Sequence, residues 1–228
     1  MFSFDIPDNC THVKLDIGLS FNAPQSQAWL SKETNLMVFG FEPNPELTKP
    51  LQQKFTNTRQ FQLIPVALSN VAKEEEMNFY INSNDCGTSS LFKHDEQQLG
   101  PIKNEVSVPV VSLKMFFDEF PWDRFEYIDY IKIDAQGSDF NILKSAGNYL
   151  SEKVVFVTAE PDGFQYFGAH ECNTKNITSY MESQNFVRIN HPNTNDPTFV
   201  NKVFSDKGIH ETIHIEQIGQ SGTHSILF

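Results

Sequence analysis

Tyr130-Ile131-Lys132-Ile133-Asp134-Ala135-Gln136-Gly137 is an apolar run that stops at a carboxylate and turns at a glycine. Two earlier stretches share the design, Val13-Lys14-Leu15-Asp16-Ile17-Gly18 and Met37-Val38-Phe39-Gly40-Phe41-Glu42-Pro43. Short runs rich in β-branched and aromatic residues, closed by Gly or Pro, read as buried strands of a parallel sheet. In an open α/β sheet the ligand lies beyond the carboxyl ends of the strands, so the three acids are expected to converge on one crevice. Such a crevice is acidic. It suits a cationic or polyhydroxyl ligand and repels a pyrophosphate.

Outward from these runs the pattern alternates. A strand at about 12–18 is followed by a helix from Gln25 to Ser31, with Pro24 at its first turn. The strand at 37–42 leads into a helix carrying Leu47, Leu51 and Phe55 on one face, and a third strand follows over 61–68. This is the β-α-β-α-β order of a doubly wound, mostly parallel sheet. Two strands at 76–81 and 106–113 then flank a polar loop with Cys86-Gly87-Thr88-Ser89-Ser90-Leu91, read as an inserted hairpin or flap over about 75–113. A short helix at 115–120 and a fourth core strand at 128–134 come next. Ser138 is expected to cap one helix whose Phe140, Leu143, Gly147 and Leu150 face the core. A fifth strand at 154–160, a helix at 175–183, a strand at 186–190 and antiparallel strands from 191 to 228 complete a single domain, 1–228.

The whole composition narrows the function. At 228 residues, with 21 Phe and a net charge of −12, the chain can bury a full core but gathers no cationic patch for a phosphate backbone, so nucleic acid is not an expected partner. Three widely spaced cysteines, Cys10, Cys86 and Cys172, make no disulfide framework. The first ten residues show neither a basic segment nor an apolar core, and no run is long enough to span a bilayer. A cytoplasmic protein without a membrane partner is expected.

The first turn, Asp16-Ile17-Gly18-Leu19-Ser20-Phe21-Asn22-Ala23, has one glycine, where a dinucleotide site needs several to wrap backbone N–H groups around a pyrophosphate. That opposes a nicotinamide-dependent oxidoreductase. A nucleoside without phosphates still fits, because Glu42 can accept two hydrogen bonds from a ribose diol. S-adenosylmethionine is such a ligand, and Asp16 and Asp134 favour its sulfonium charge.

At these residues the chain resembles the class I S-adenosylmethionine-dependent methyltransferases, and among them the FkbM family of O-methyltransferases. The likeness spans about 13–189. It rests on Asp16-Ile17-Gly18, Phe41-Glu42-Pro43-Asn44, Val66-Ala67-Leu68-Ser69, Gly87-Thr88-Ser89-Ser90-Leu91 and, most distinctively, Ile131 to Asp139 followed by Ile142-Leu143-Lys144-Ser145-Ala146. The resemblance implies a Rossmann-like fold and transfer of a methyl group to a hydroxyl of a sugar, glycan or related small metabolite. It implies that Asp16 and Gly18 line the methionine side of the cofactor, that Glu42 holds the ribose, that Asn44, Ala67 and Leu68 border the adenosine, and that Asp134 lies nearest the transferred methyl. Ser89, in the inserted loop, joins the cofactor-binding candidates. The family's first turn usually has a second glycine near Asn22; here Asn22-Ala23-Pro24 stands, and the Asn22 side chain is offered as a donor to the cofactor carboxylate.

A sugar hydroxyl has a high pKa and gains from a base or a metal as it loses its proton. Asp134 is the first candidate base or orienter, with His191 and His170 as later ones. Asp134, Glu160 and Asp162 are candidate oxygen ligands of a divalent ion such as magnesium, or else Glu160 and Asp162 cap their turn or bind substrate. His210-Glu211-Thr212-Ile213-His214 matches the zinc-protease pattern, which needs both histidines on one helix face; the alternation over 209–218 predicts a strand instead. N-methylation, which needs no strong base, and a binding module without turnover remain as alternatives.

Overall fold

A computed structural model of the chain describes residues 2–190, 195–213 and 215, together with the backbone of 216–219 and 222–225. Its first half runs β1 (His12–Ile17), α1 (Pro24–Lys32), β2 (Leu36–Phe41), α2 (Pro45–Lys54), β3 (Phe61–Ile64), β4 (Ala67–Leu68), β5 (Glu75–Asn82), α3 (Glu96–Leu99), β6 (Ile102–Val111) and α4 (Leu113–Glu119). It continues through β7 (Ile128–Ile133), α5 (Asp139–Ser145), α6 (Tyr149–Lys153), β8 (Val154–Ala159), α7 (Thr174–Ser183), β9 (Phe186–Arg188), β10 (Thr198–Asn201), α8 (Lys202–Ser205), β11 (Glu216–Gly219) and β12 (Gly222–Ser225). Seven strands form the central sheet in the order β3-β2-β1-β7-β8-β10-β9, parallel from β3 to β8, with β10 antiparallel to both its neighbours.

The apolar runs are continuous because the sheet is covered on both faces. All six residues of β2 are buried, and they divide by parity: Met37, Phe39 and Phe41 pack with Phe116, Phe117, Leu143 and Met181 on one face, while Leu36 and Val38 pack with Trp29, Leu51 and Phe204 on the other. These two apolar layers, at about 25 cal/mol for each Å² withdrawn from water, supply the dominant stabilising term. A smaller three-stranded sheet, β4-β6-β5, carries its own cluster of Ala67, Phe79, Ile81, Val108 and Val110.

Four expectations need correction. The strand at 61–68 is two strands in two sheets, because Pro65 has no N–H for the ladder and the chain turns there, Val66 N–H donating to the Ile64 carbonyl at 2.9 Å. The helix begun at Ser138 is two short helices. Gly147, assigned to the core face, adopts φ 58° and stops the first, and Ser138 makes no capping bond. The tail is antiparallel as expected, but β10 inserts between β8 and β9 instead of ending the sheet, and β11 and β12 form a separate antiparallel pair. Finally, 209–212 is a 3-10 turn after Gly208 at φ 71°, and only Glu216–Gly219 is strand. The turn still removes the zinc-protease helix, with His214 outside the described residues.

Candidate active site

β1, β2 and β7 are neighbours in register, Ile17 lying beside Phe41 and Ile133, so the residues that follow them reach one place. Gly18 N–H donates to the Phe41 carbonyl at 3.0 Å and Asp134 N–H to the Ile17 carbonyl at 2.9 Å. Beyond these ends opens a cleft. Its lining includes six of the candidate cofactor residues, Gly18, Glu42, Ala67, Leu68, Ser89 and Asp134, together with Ser20, Cys86, Gln136 and Ser138, which are not among those candidates. β4 and the segment after β5 supply one wall, so the second sheet completes the cleft.

Gly18 sits where no other residue fits: its φ is 81° and an added Cβ would lie 1.8 Å from the Asp134 carbonyl oxygen. The rest of the turn adopts glycine-like geometry without glycines. Ser20, Asn22 and Ala23 have φ of 53°, 72° and 48°, a region that costs L-residues about 1–2 kcal/mol each, less for Asn. The turn is held by Glu42, whose buried carboxylate accepts from Ser20 N–H at 3.1 Å and Asn44 N–H at 2.9 Å. Burial nevertheless pushes the Glu42 carboxyl up to about 7, against the pull of those N–H groups.

Three expected cofactor residues do not line the cleft. Asp16 is buried and turned to the helix it precedes: its Oδ2 accepts from Ser26 N–H at 3.0 Å and from Ser26 Oγ at 2.6 Å, while Oδ1 faces Lys132 Nζ at 3.8 Å. Asp16 therefore supplies α1 with the acidic cap that the apolar Ala23 cannot give. Asn44 likewise caps a helix, its Oδ1 accepting from Glu46 N–H at the start of α2, while its buried Nδ2 has no hydrogen-bond partner. Asn22 is exposed, with Lys54 Nζ 3.4 Å from its Oδ1.

The turn after β7 is crowded with acids. Lys132, almost fully buried, donates to Asp134 Oδ2 at 3.1 Å and to the Gly18 carbonyl at 3.2 Å. Burial works against charge on both partners, and at Asp134 it is the largest single influence, but the Lys132 ammonium and the hydrogen bonds from Glu160, Gln136 and Lys132 together outweigh it and hold that carboxyl below the usual range. Glu160 and Asp134 are hydrogen-bonded side chain to side chain, and burial beside Asp134 pushes Glu160 up to about 10, so Glu160 is the protonated member. Burial, then Asp134, raises Asp162 to about 7. Gln136 Nε2 donates to both members of the pair, to Asp134 Oδ1 at 2.7 Å and Glu160 Oε2 at 3.1 Å.

The proposed metal set is not what the structure assembles. Among the described residues, the acids and thiol whose ligand atoms come within 4.8 Å of one another are Asp139, Asp162 and Cys172, not Asp134, Glu160 and Asp162. Two of those three are already used: Asp139 accepts from Ala135 N–H and Glu160 N–H at 3.0 and 2.9 Å, and the Cys172 thiol donates to the Glu160 carbonyl at 3.5 Å. This donor set is that of a turn clamp. His170 is exposed, its ring 6.4 Å from Phe164, and His191 lies outside the described residues.

No curated protein matches the chain. Among solved structures it is similar to the SAH-bound methyltransferase PaMTH1 of Podospora anserina, at 12% identity and a TM-score of 0.47, over 83% of this chain and 70% of that one. It is also similar to SMU.1697c of Streptococcus mutans in complex with SAH, at 11% identity and a TM-score of 0.42, over 83% and 87%. Residues 24–188 match the profile of the methyltransferase FkbM domain, from α1 to the last strand of the central sheet in chain order but one. Covering well over half of the sequence, that match places this chain in the FkbM methyltransferase family.

Proposed function

We propose that the protein transfers the methyl group of S-adenosylmethionine to a hydroxyl oxygen of a sugar, glycan or related small metabolite. The observation that carries the reading is the pairing of Glu42 with Asp134 across one cleft. A buried carboxylate that can receive a ribose diol lies on one side, and a charged carboxylate free of phosphate-binding companions lies on the other. The residues present fit such a nucleoside. Ser138 is 2% exposed and lines the cleft, and its Oγ has no hydrogen-bond partner, which is an unmet polar group that a ligand can satisfy. Ala67, Leu68, Phe79 and Leu91 offer the apolar surface for a base.

When bound, S-adenosylmethionine supplies an electrophilic methyl group. The chain's own work is to align the acceptor oxygen, since an in-line displacement gains most from positioning, and to take the proton that the hydroxyl gives up. Asp134 is charged, so it can orient the hydroxyl by accepting its hydrogen bond and receive the proton as the oxygen gains its methyl group and turns acidic, while Glu160 already holds a proton of its own.

Incubation with methyl-labelled S-adenosylmethionine and a panel of monosaccharides, glycosides and small alcohols tests the reading. Label recovered as an alkali-stable methyl ether supports it. Label recovered only on amines assigns N-methylation, and cofactor binding without transfer to any acceptor assigns a binding module.

A further inference from the structure

Gln136 carries more hydrogen bonds than a turn residue needs, in a backbone conformation that a turn alone would give to glycine. Its φ is 52°, the left-handed region, and Gly137 beside it has φ 88°. A chain selected only for this turn gains by placing Gly or Asn there. Holding Gln in strained backbone is explained by what its side chain and carbonyl touch. The carbonyl accepts from Ser90 Oγ at 2.6 Å, and the side-chain Oε1 accepts from Tyr166 Oη at 2.5 Å. Tyr166 Oη also lies 3.1 Å from the Thr88 carbonyl. Burial pushes the Tyr166 phenol far up, so its oxygen keeps the proton and donates it. With Oε1 fixed as the acceptor, Nε2 must face the acids, and it reaches both Asp134 and Glu160.

We propose that Gln136 is a positioning residue: its amide clamps Asp134 and Glu160 as one proton-sharing pair at the cleft, and Tyr166 and Ser90 tie that clamp to the wall formed by 86–91. The inference rests on the methyltransferase reading for its purpose, since it is Asp134 that meets the acceptor hydroxyl there. The clamp favours charge on Asp134, because an N–H donated to a carboxylate stabilises its ionised form more than its neutral form. The other charged groups facing the pair are Lys132 from β7, Asp16 from β1, Asp139 from α5 and Asp162 from the turn after β8. Of these only Lys132 favours charge on the pair. Gln136 is therefore the one neutral donor that bridges both carboxyls among the described residues.

Two variants separate clamp from scaffold. Gln136→Leu removes the amide and keeps the bulk; Gln136→Gly removes the amide and relieves the left-handed strain. Carboxyl carbon resonances of Asp134 and Glu160 are followed through a pH titration of the full chain, with S-adenosylhomocysteine binding measured on the same samples. The clamp predicts that Asp134 titrates at higher pH in both variants than in the parent, that Gln136→Gly melts no lower than the parent, and that both still bind the nucleoside. Unchanged titration of Asp134 and Glu160 in both variants overturns the inference and leaves Gln136 a turn residue. Failure of the parent itself to bind S-adenosylhomocysteine is a different result, which removes the cofactor reading and not the clamp.

Discussion

The two turns that meet at the cleft are built by opposite means. The turn after β1, Gly18 to Ala23, is shaped by backbone: four of its six residues have positive φ, and its acid, Asp16, faces away from the ligand to cap a helix. The turn after β7, Asp134 to Asp139, is shaped by side-chain charge: one buried lysine faces Asp134 and Glu160, Asp162 and Asp139 stand next to that pair, and a glutamine bridges its two members. The first lines the cleft with main chain, with Glu42 behind it. The second lines it with a carboxylate and an amide. A strand-end carboxylate is thus no guide by itself to a ligand contact, since of three such acids one is structural and two face the cleft.

The contrast can be broken most forcefully at Lys132. Removing the buried cation leaves Asp134 and Asp16 uncompensated, so Lys132→Met is expected to cost about 3–5 kcal/mol in denaturant unfolding; a loss below 1 kcal/mol would mean the second turn does not depend on charge. Gly18→Ala attacks the first turn where the two touch, with a Cβ placed 1.8 Å from the Asp134 carbonyl oxygen. Backbone strain and the forced separation of β1 and β7 predict a loss of about 3 kcal/mol, read in the same way.

A gentler test uses pH. The folded Glu42 carboxyl sits at about 7 against 4.5 for the ordinary group. Between those values the folded state holds a proton that the unfolded state has released, so the stabilisation from this group is full below pH 4.5 and is lost as pH rises through 7. Glu160 and Asp162 are shifted in the same direction, so the difference between the parent and Glu42→Gln isolates the one group. That difference is expected to change by on the order of 2 kcal/mol across the window and to be flat above it. Smallest is Asn22→Gly, which relieves an exposed left-handed residue: a gain of about 0.5 kcal/mol is expected, and a loss would show that Asn22 has a role its exposure hides.

Much of this architecture is legible in the sequence because burial on both faces writes itself as uninterrupted apolar runs, and β1, β2, β7 and β8 fall within a residue or so of their expected bounds. The convergence of Gly18, Glu42 and Asp134 follows from strand order alone. Local breaks are harder, since Pro65 and Gly147 sit inside apolar spacing that continues across them, and only the tertiary partner decides where the chain turns. The role of Asp16 is hidden for another reason. Whether an acid caps its own helix or faces a ligand depends on one rotamer, and the clue, Ser26 two residues into a helix with no polar cap of its own, is weak. Gln136 stood in the most distinctive motif without a role, because a neutral amide signals nothing until its neighbours in space are known. The assignment of His191 to catalysis lies outside the described residues.

The most direct test of the central claim, that the main-chain turn and Glu42 together hold an adenosyl ligand, is a calorimetric titration of the parent and of Glu42→Gln with S-adenosylhomocysteine, using NAD as the control. The account predicts saturable one-to-one binding to the parent, affinity weaker by about tenfold in Glu42→Gln from the loss of a charge-assisted hydrogen bond, and no binding of NAD. Equal affinity in both proteins, or binding of NAD in place of the homocysteine compound, would contradict it.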